Sequence, residues 1–156
     1  MLEEKLKNTK IKDKHKMEQL IEEIYEKYNP CTIILHGSAL KGGYVNEISD
    51  IDLIVVSEKF EKIDMEDRFV NLLEISQRHD LRAEIFGYTK EEFLKMIENI
   101  NFFILDAVFY GLVLKDDENF WDKIIDRFKE IEAKYCLQKT ETNGWKFKND
   151  NSMSRK

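Results

Sequence analysis

One stretch limits what this chain can become: Asp50-Ile51-Asp52-Leu53-Ile54-Val55-Val56-Ser57. Beyond its two acids it is apolar at every position up to Ser57. Such a run has no polar face to turn to water, so it predicts a strand from Asp50 to Ser57 that lies in the middle of a sheet and is covered on both sides. A sheet of that kind needs helices on its faces. Carboxylates at i and i+2 of a strand share a face, so Asp50 and Asp52 point the same way.

The rest of the chain supplies the covering elements. Met17, Leu20, Ile21, Ile24, Tyr25 and Tyr28 recur at helical spacing, which predicts an amphipathic helix over 14–28 that Asn29-Pro30 stops. Cys31 to Leu35 reads as a first strand, and a short helical piece around Ala39 to Lys41 is broken by Gly42-Gly43. Met65, Phe69, Leu72, Leu73 and Ser76 mark the next helix. Leu81 to Tyr88 is a third strand with Glu84 in its middle. Thr89 followed by Glu92 is the signature of a capping box. Phe102 to Phe109 is apolar all round, predicting a buried helix ended by Gly111, and Leu112 to Leu114 a short edge strand. Phe120, Trp121, Ile124, Ile125, Phe128, Ile131 and Tyr135 define a last long helix. The order predicts an α+β (α/β) domain over residues 1–138, a small mixed β-sheet flanked by helices, with one helix before the first strand. From Lys139 to Lys156 five basic residues stand against two acids among Asn, Ser and Thr without any period. A disordered polar tail is expected there.

Of the 156 residues, 42% are hydrophobic, enough for a real core. No apolar run approaches the ~18 residues of a membrane span. Met1 to Lys16 is charged and polar, unlike a secretory signal. Cys31 and Cys136 lie far apart without a CxxC or Cys/His cluster, so free thiols in the cytoplasm are expected. A net charge of −6 argues against a broad nucleic-acid surface, since the negative body repels a phosphate backbone. It leaves room for one phosphate-bearing small molecule.

Such a molecule has a place. The run Leu35-His36-Gly37-Ser38 closes the first strand, and eleven residues separate Ser38 from Asp50. Two carboxylates beside a small-residue turn suit Mg²⁺, which prefers oxygen ligands and is commonly shared with substrate phosphates. These residues point to a metal-assisted nucleotide site. His36 reads as a strand-end packing residue.

Gly37-Ser38, the eleven-residue gap, Asp50-Ile51-Asp52 and then Glu84 on the following strand together resemble the signature of the polymerase-β-like nucleotidyltransferase superfamily. The resemblance runs over roughly residues 28–116 and is nearest to the minimal, stand-alone nucleotidyltransferases of prokaryotes. It implies the palm-like fold of that superfamily and transfer of a nucleoside monophosphate from a triphosphate, ATP first, by two-metal catalysis with Mg²⁺ or Mn²⁺. In it Asp50 and Asp52 bind both ions, while Glu84 binds the catalytic one and helps deprotonate the acceptor. Gly37 admits the triphosphate to the backbone. Ser38 donates its hydroxyl, the amides after it cradle phosphates, and Lys41 contacts the triphosphate or the acceptor. Many such proteins carry arginines just after Gly-Ser, where this chain has Ala39 and Leu40. The resemblance also implies a small helical protein as partner, or a second copy of the chain. The alternative it leaves open is a non-catalytic, nucleotide-binding antitoxin-like module.

Overall fold

Asp13 and Asn29 bracket the first long helix. The Asp13 carboxylate accepts from the Lys16 amide at 3.0 Å, and Asn29 takes the left-handed conformation that ends the helix. Between them Met17, Leu20, Ile21, Ile24 and Tyr28 bury one stripe. The computed structural model describes residues 2–41, 51–141 and 144–147. In chain order its elements are α1 (Leu2–Leu6), α2 (Lys14–Tyr28), β1 (Thr32–His36), α3 (Ser38–Lys41) and β2 (Ile51–Val56). A 3-10 turn at Glu58–Phe60, α4 (Met65–Arg78), β3 (Ala83–Tyr88), α5 (Lys90–Glu98) and α6 (Phe102–Tyr110) follow. The chain continues through β4 (Leu112–Asp116), α7 (Phe120–Tyr135), β5 (Leu137–Lys139) and β6 (Trp145–Phe147).

The main sheet has the order β3-β2-β1-β4. Strand β1 is antiparallel to both β2 and β4, whereas β2 and β3 run parallel. The run that is apolar on both faces is therefore an inner strand, and β4 is an edge, both as the sequence predicts. Alternation then sorts the side chains. Ile33, Leu35, Ile51, Leu53, Val55, Ala83 and Ile85 join one core with residues of α1, α2 and α4, among them Leu6, Leu20, Leu72 and Ile75. Ile34, Ile54, Val56 and Tyr88 join a second core with Phe93, Ile104, Leu105, Phe120, Ile124 and Phe128 of α5, α6 and α7. Helices cover both faces.

Thr89 forms the expected capping box, its Oγ1 accepting from the Glu92 amide at 3.2 Å while Glu92 Oε1 accepts from the Thr89 amide at 2.8 Å. The same carboxylate receives Arg68, which is only 4% exposed in α4. Its Nη1 and Nη2 donate to Glu92 at 2.7 and 3.2 Å, its Nε to the Ile63 carbonyl at 2.7 Å, and Nη1 also to the Gly87 carbonyl at 3.2 Å. One guanidinium thus ties α4 to β3 and α5.

Three expectations are corrected. Helix α6 is not buried all round: Ile104, Leu105, Ala107 and Val108 are buried, while Phe102, Phe103, Phe109 and Tyr110 remain two-fifths to one-half exposed. It lies on an outer layer and has only one side to pack against the sheet. The beginning of the expected disordered tail is ordered. Leu137–Lys139 pairs antiparallel with Trp145–Phe147, across the predicted boundary at 138. Trp145 holds this ribbon to α6, donating its indole N–H to Asp106 Oδ1 at 2.9 Å and packing edge-on against Phe109 and Phe128. Residues 148–156 lie outside the described residues. The third strand begins at Ala83 rather than Leu81, and α1 is an element that a five-residue polar segment with one buried leucine does not announce. Among the described residues no helix is long and apolar enough to cross a membrane.

Candidate active site

The sheet brings Asp52 and Glu84 side by side. They are direct partners in the parallel register of β2 and β3, and His36 is the partner of Asp52 in the antiparallel register of β1 and β2. Paired residues of neighbouring strands point to the same face. His36, Asp52 and Glu84 therefore form a row across three strands, on the face that α5, α6 and α7 cover further along. Within the row His36 is buried and the two acids are half-buried.

Gly37 follows His36 with φ at +81°, a conformation that L side chains rarely adopt. A Cβ placed on it would stand 2.2 Å from Asp52 Oδ2. The resemblance gives this glycine a role toward the phosphates. The structure shows that the space a side chain would fill is already taken by the Asp52 carboxylate. Gly37 thus sets where that carboxylate rests.

After the turn, Ser38 and Lys41 are the first and last residues of α3. The helix is fixed in place by buried Ala39, whose carbonyl accepts from the Lys10 amide at 3.0 Å, and by the Leu40 amide donating to the Gly37 carbonyl at 3.1 Å. The buried Ala39 side chain belongs to the core shared with α1, α2 and α4. Asp50 lies outside the described residues.

The described part of the site supplies two carboxylates, and among the described residues no cluster of three or more metal-ligating side chains forms. Asp52 and Glu84 on adjacent strands, about 4.8 Å apart in backbone spacing, offer hard oxygen donors of the kind that Mg²⁺ or Mn²⁺ takes. The donor set fits such an ion. Glu84 also borders a groove of about 340 Å³ along the outer edge of β3, lined by Phe69, Leu73, Gln77 and Arg82 among others.

One neighbour carries no signal in the sequence. Phe103, near the start of α6, stands edge-on to His36 with ring centroids 5.2 Å apart and edge-on to Phe86 at 5.7 Å. An apolar helix offers many phenylalanines, and only the placement of α6 across the sheet decides which one meets the row of acids.

The family model described as "Nucleotidyltransferase domain" matches residues 17–134 of the chain. No curated protein matches the sequence. Among solved structures, a toxin-antitoxin with AMP-PNP is 18% identical over 76% of this chain and 92% of that one, with a TM-score of 0.51. The tri-AMPylated Shewanella oneidensis HEPN toxin in complex with MNT antitoxin is 18% identical over 78% of this chain and 88% of that one, with a TM-score of 0.46. The toxin-antitoxin MntA-HepT is 18% identical over 78% and 89% of the two chains, with a TM-score of 0.43. The first of these shares the fold described above.

Proposed function

The chain belongs to the nucleotidyltransferase domain family, and from that premise we propose that it moves a nucleoside monophosphate from a nucleoside triphosphate, ATP first, to an acceptor hydroxyl. The observation that carries this reading is the pairing of Asp52 with Glu84 on neighbouring strands, with Gly37 closed down on the Asp52 carboxylate. Asp50, Asp52 and Glu84 are the ligands for Mg²⁺ or Mn²⁺. When bound, such ions polarise the α-phosphoryl group and offset charge on the attacking and leaving oxygens. In the reaction the acceptor oxygen bonds to the α-phosphorus, the bond from that phosphorus to the bridging oxygen breaks, and pyrophosphate departs. Glu84 is assigned the acceptor's proton. Gly37, Ser38 and Lys41 are assigned to the triphosphate.

The acceptor is proposed to be carried by a partner protein, which the toxin-antitoxin structure with AMP-PNP suggests for a chain of this fold. Free Cys31 and Cys136 support a reducing, cytoplasmic setting. A second reading, an antitoxin-like module that binds nucleotide without turnover, is favoured by one observation. Ala39, where proteins of the resembled kind often carry arginine, is buried in the core, so that position brings no charge to a phosphate.

The test is incubation of the purified protein with Mg²⁺ and each α-labelled nucleoside triphosphate, with and without lysate, beside Asp52→Asn. Label transferred by the wild type and lost in Asp52→Asn supports the transferase. Metal-dependent nucleotide binding with no label on any acceptor moves the assignment to the binding module. Full activity in Asp52→Asn refutes the site.

A further inference from the structure

Phe103 is a half-exposed ring against His36, one end of the row, and its position is defined by the sheet beneath it. His36 belongs to β1 and Phe86 to β3, with β2 between them. A ring in contact with both must lie over β2. The register narrows this further: His36 pairs with Asp52, and Phe86 pairs with Ile54, the next residue of β2 on that face. Phe103 therefore stands over the Asp52–Ile54 stretch of β2. It is held there edge-on to two other rings, at interplanar angles of 81° and 83°, yet 41% of it remains exposed.

A large ring, held between His36 and Phe86 and two-fifths open to solvent over the strand that carries Asp52, is suited to serve as a stacking wall. The phosphates of a nucleotide belong at the carboxylates, and the apolar surface next to them suits the other half of the molecule. We propose that Phe103 is the residue on which the nucleobase of the triphosphate substrate packs, and so a determinant of nucleotide affinity. The inference rests on the nucleoside-triphosphate reading of the same site. Stacking on an aromatic face needs no hydrogen-bond code and accepts every base, with the larger purine surface gaining most. Selection among nucleotides at this wall is thus by ring area, which favours ATP and GTP over CTP and UTP.

Calorimetric titration in the presence of Mg²⁺ tests it, with ATP and inorganic tripolyphosphate as separate probes. Phe103→Leu keeps an apolar side chain of similar reach and removes the ring. It is expected to weaken ATP binding about tenfold while leaving tripolyphosphate binding unchanged. Phe103→Trp keeps an aromatic surface and is expected to restore ATP affinity. Phe109→Leu is the control: that ring is 48% exposed on the same helix but packs with Tyr110 and Trp145, and its loss is expected to leave both affinities in place.

Wild-type affinity for ATP in Phe103→Leu overturns the proposal, as does an equal loss for ATP and tripolyphosphate or an equal effect of Phe109→Leu. If Phe103→Leu lowers the melting temperature, tripolyphosphate decides, because a structural loss weakens both probes whereas loss of stacking weakens ATP alone. A wild-type protein that binds neither probe refutes the nucleotide site itself, and this proposal with it.

Discussion

Replacing Gly37 by alanine separates the position of a carboxylate from the stability of the fold. The new Cβ would lie 2.2 Å from Asp52 Oδ2, 3.1 Å from its Cγ and 3.4 Å from its own Cβ. The Asp52 backbone can therefore stay, since the Cβ–Cβ distance is ordinary contact, while the carboxylate must swing away by about 1 Å to reach the separation that carbon and oxygen tolerate. The left-handed φ of +81° adds a conformational cost of about 1–2 kcal/mol for a residue with a side chain. At this chain length that lowers the melting temperature by only a few degrees, roughly 2–8 °C. A 1 Å misplacement of a group that orients the reacting atoms is worth about 100-fold in rate. Gly37→Ala is expected to remain folded by circular dichroism, to melt a few degrees early, and to lose about 100-fold in labelled nucleotidyl transfer or, for a binding module, metal-dependent nucleotide affinity. Wild-type activity in a folded Gly37→Ala protein would refute the conclusion that this glycine sets the Asp52 carboxylate.

Two further outcomes concern the fold. Arg68→Met keeps the aliphatic stem but removes the bonds to Glu92 and to the carbonyls of Ile63 and Gly87. Because Glu92 is 40% exposed and water can take up its charge, the loss falls to about 2–3 kcal/mol rather than the larger cost of a fully buried pair, or roughly 5–10 °C in thermal unfolding. An unchanged melting temperature would show that this guanidinium does not tie the layers together. Acid should undo the same contacts. Burial pushes Glu92 up, but the Arg68 guanidinium and the Thr89 amide outweigh it and hold the carboxyl below its ordinary value of 4.5. For Glu23, too, burial is outweighed, by Arg78 and His79. Both carboxylates are lowered in the folded state, so their contribution is present above about pH 4.5 and is lost as pH falls below it, through the depressed folded values. Urea unfolding across pH 3–6 should show a shallower acid decline in Glu92→Gln than in the wild type; parallel declines would assign the acid limb to other groups.

Local pattern carried much of this protein. Helix α2 was legible because a regular apolar stripe and the Asn29-Pro30 stop act within one or two turns. The inner position of β2 was equally legible, since a strand apolar on both sides has nowhere else to go. The capping box at Thr89 and Glu92 is a three-residue interaction and needs no tertiary context. Spacing put Gly37, Ser38, Asp50 and Asp52 forward as candidates, and the resemblance to the polymerase-β-like family added Glu84.

Relations between distant segments were decided elsewhere. That Glu84 is the partner of Asp52 depends on β3 pairing parallel to β2 in one register, and a slip of one residue would have turned it to the opposite face. The closure of Gly37 on Asp52 and the choice of Phe103 beside the acids depend on how β1 and α6 lie over β2, which no window of sequence contains. Arg68 reads as a polar residue on an amphipathic helix until α4, β3 and α5 converge on it. The β5–β6 ribbon looked like a polar tail because six short strand residues carry too little apolar period, and its order comes from Trp145 reaching back to Asp106, Phe109 and Phe128. Backbone preferences and hydrophobic period act over a few residues and so determined the elements from the sequence alone. Register and layer packing are settled only when the whole core closes, and these decided which candidate residues come together.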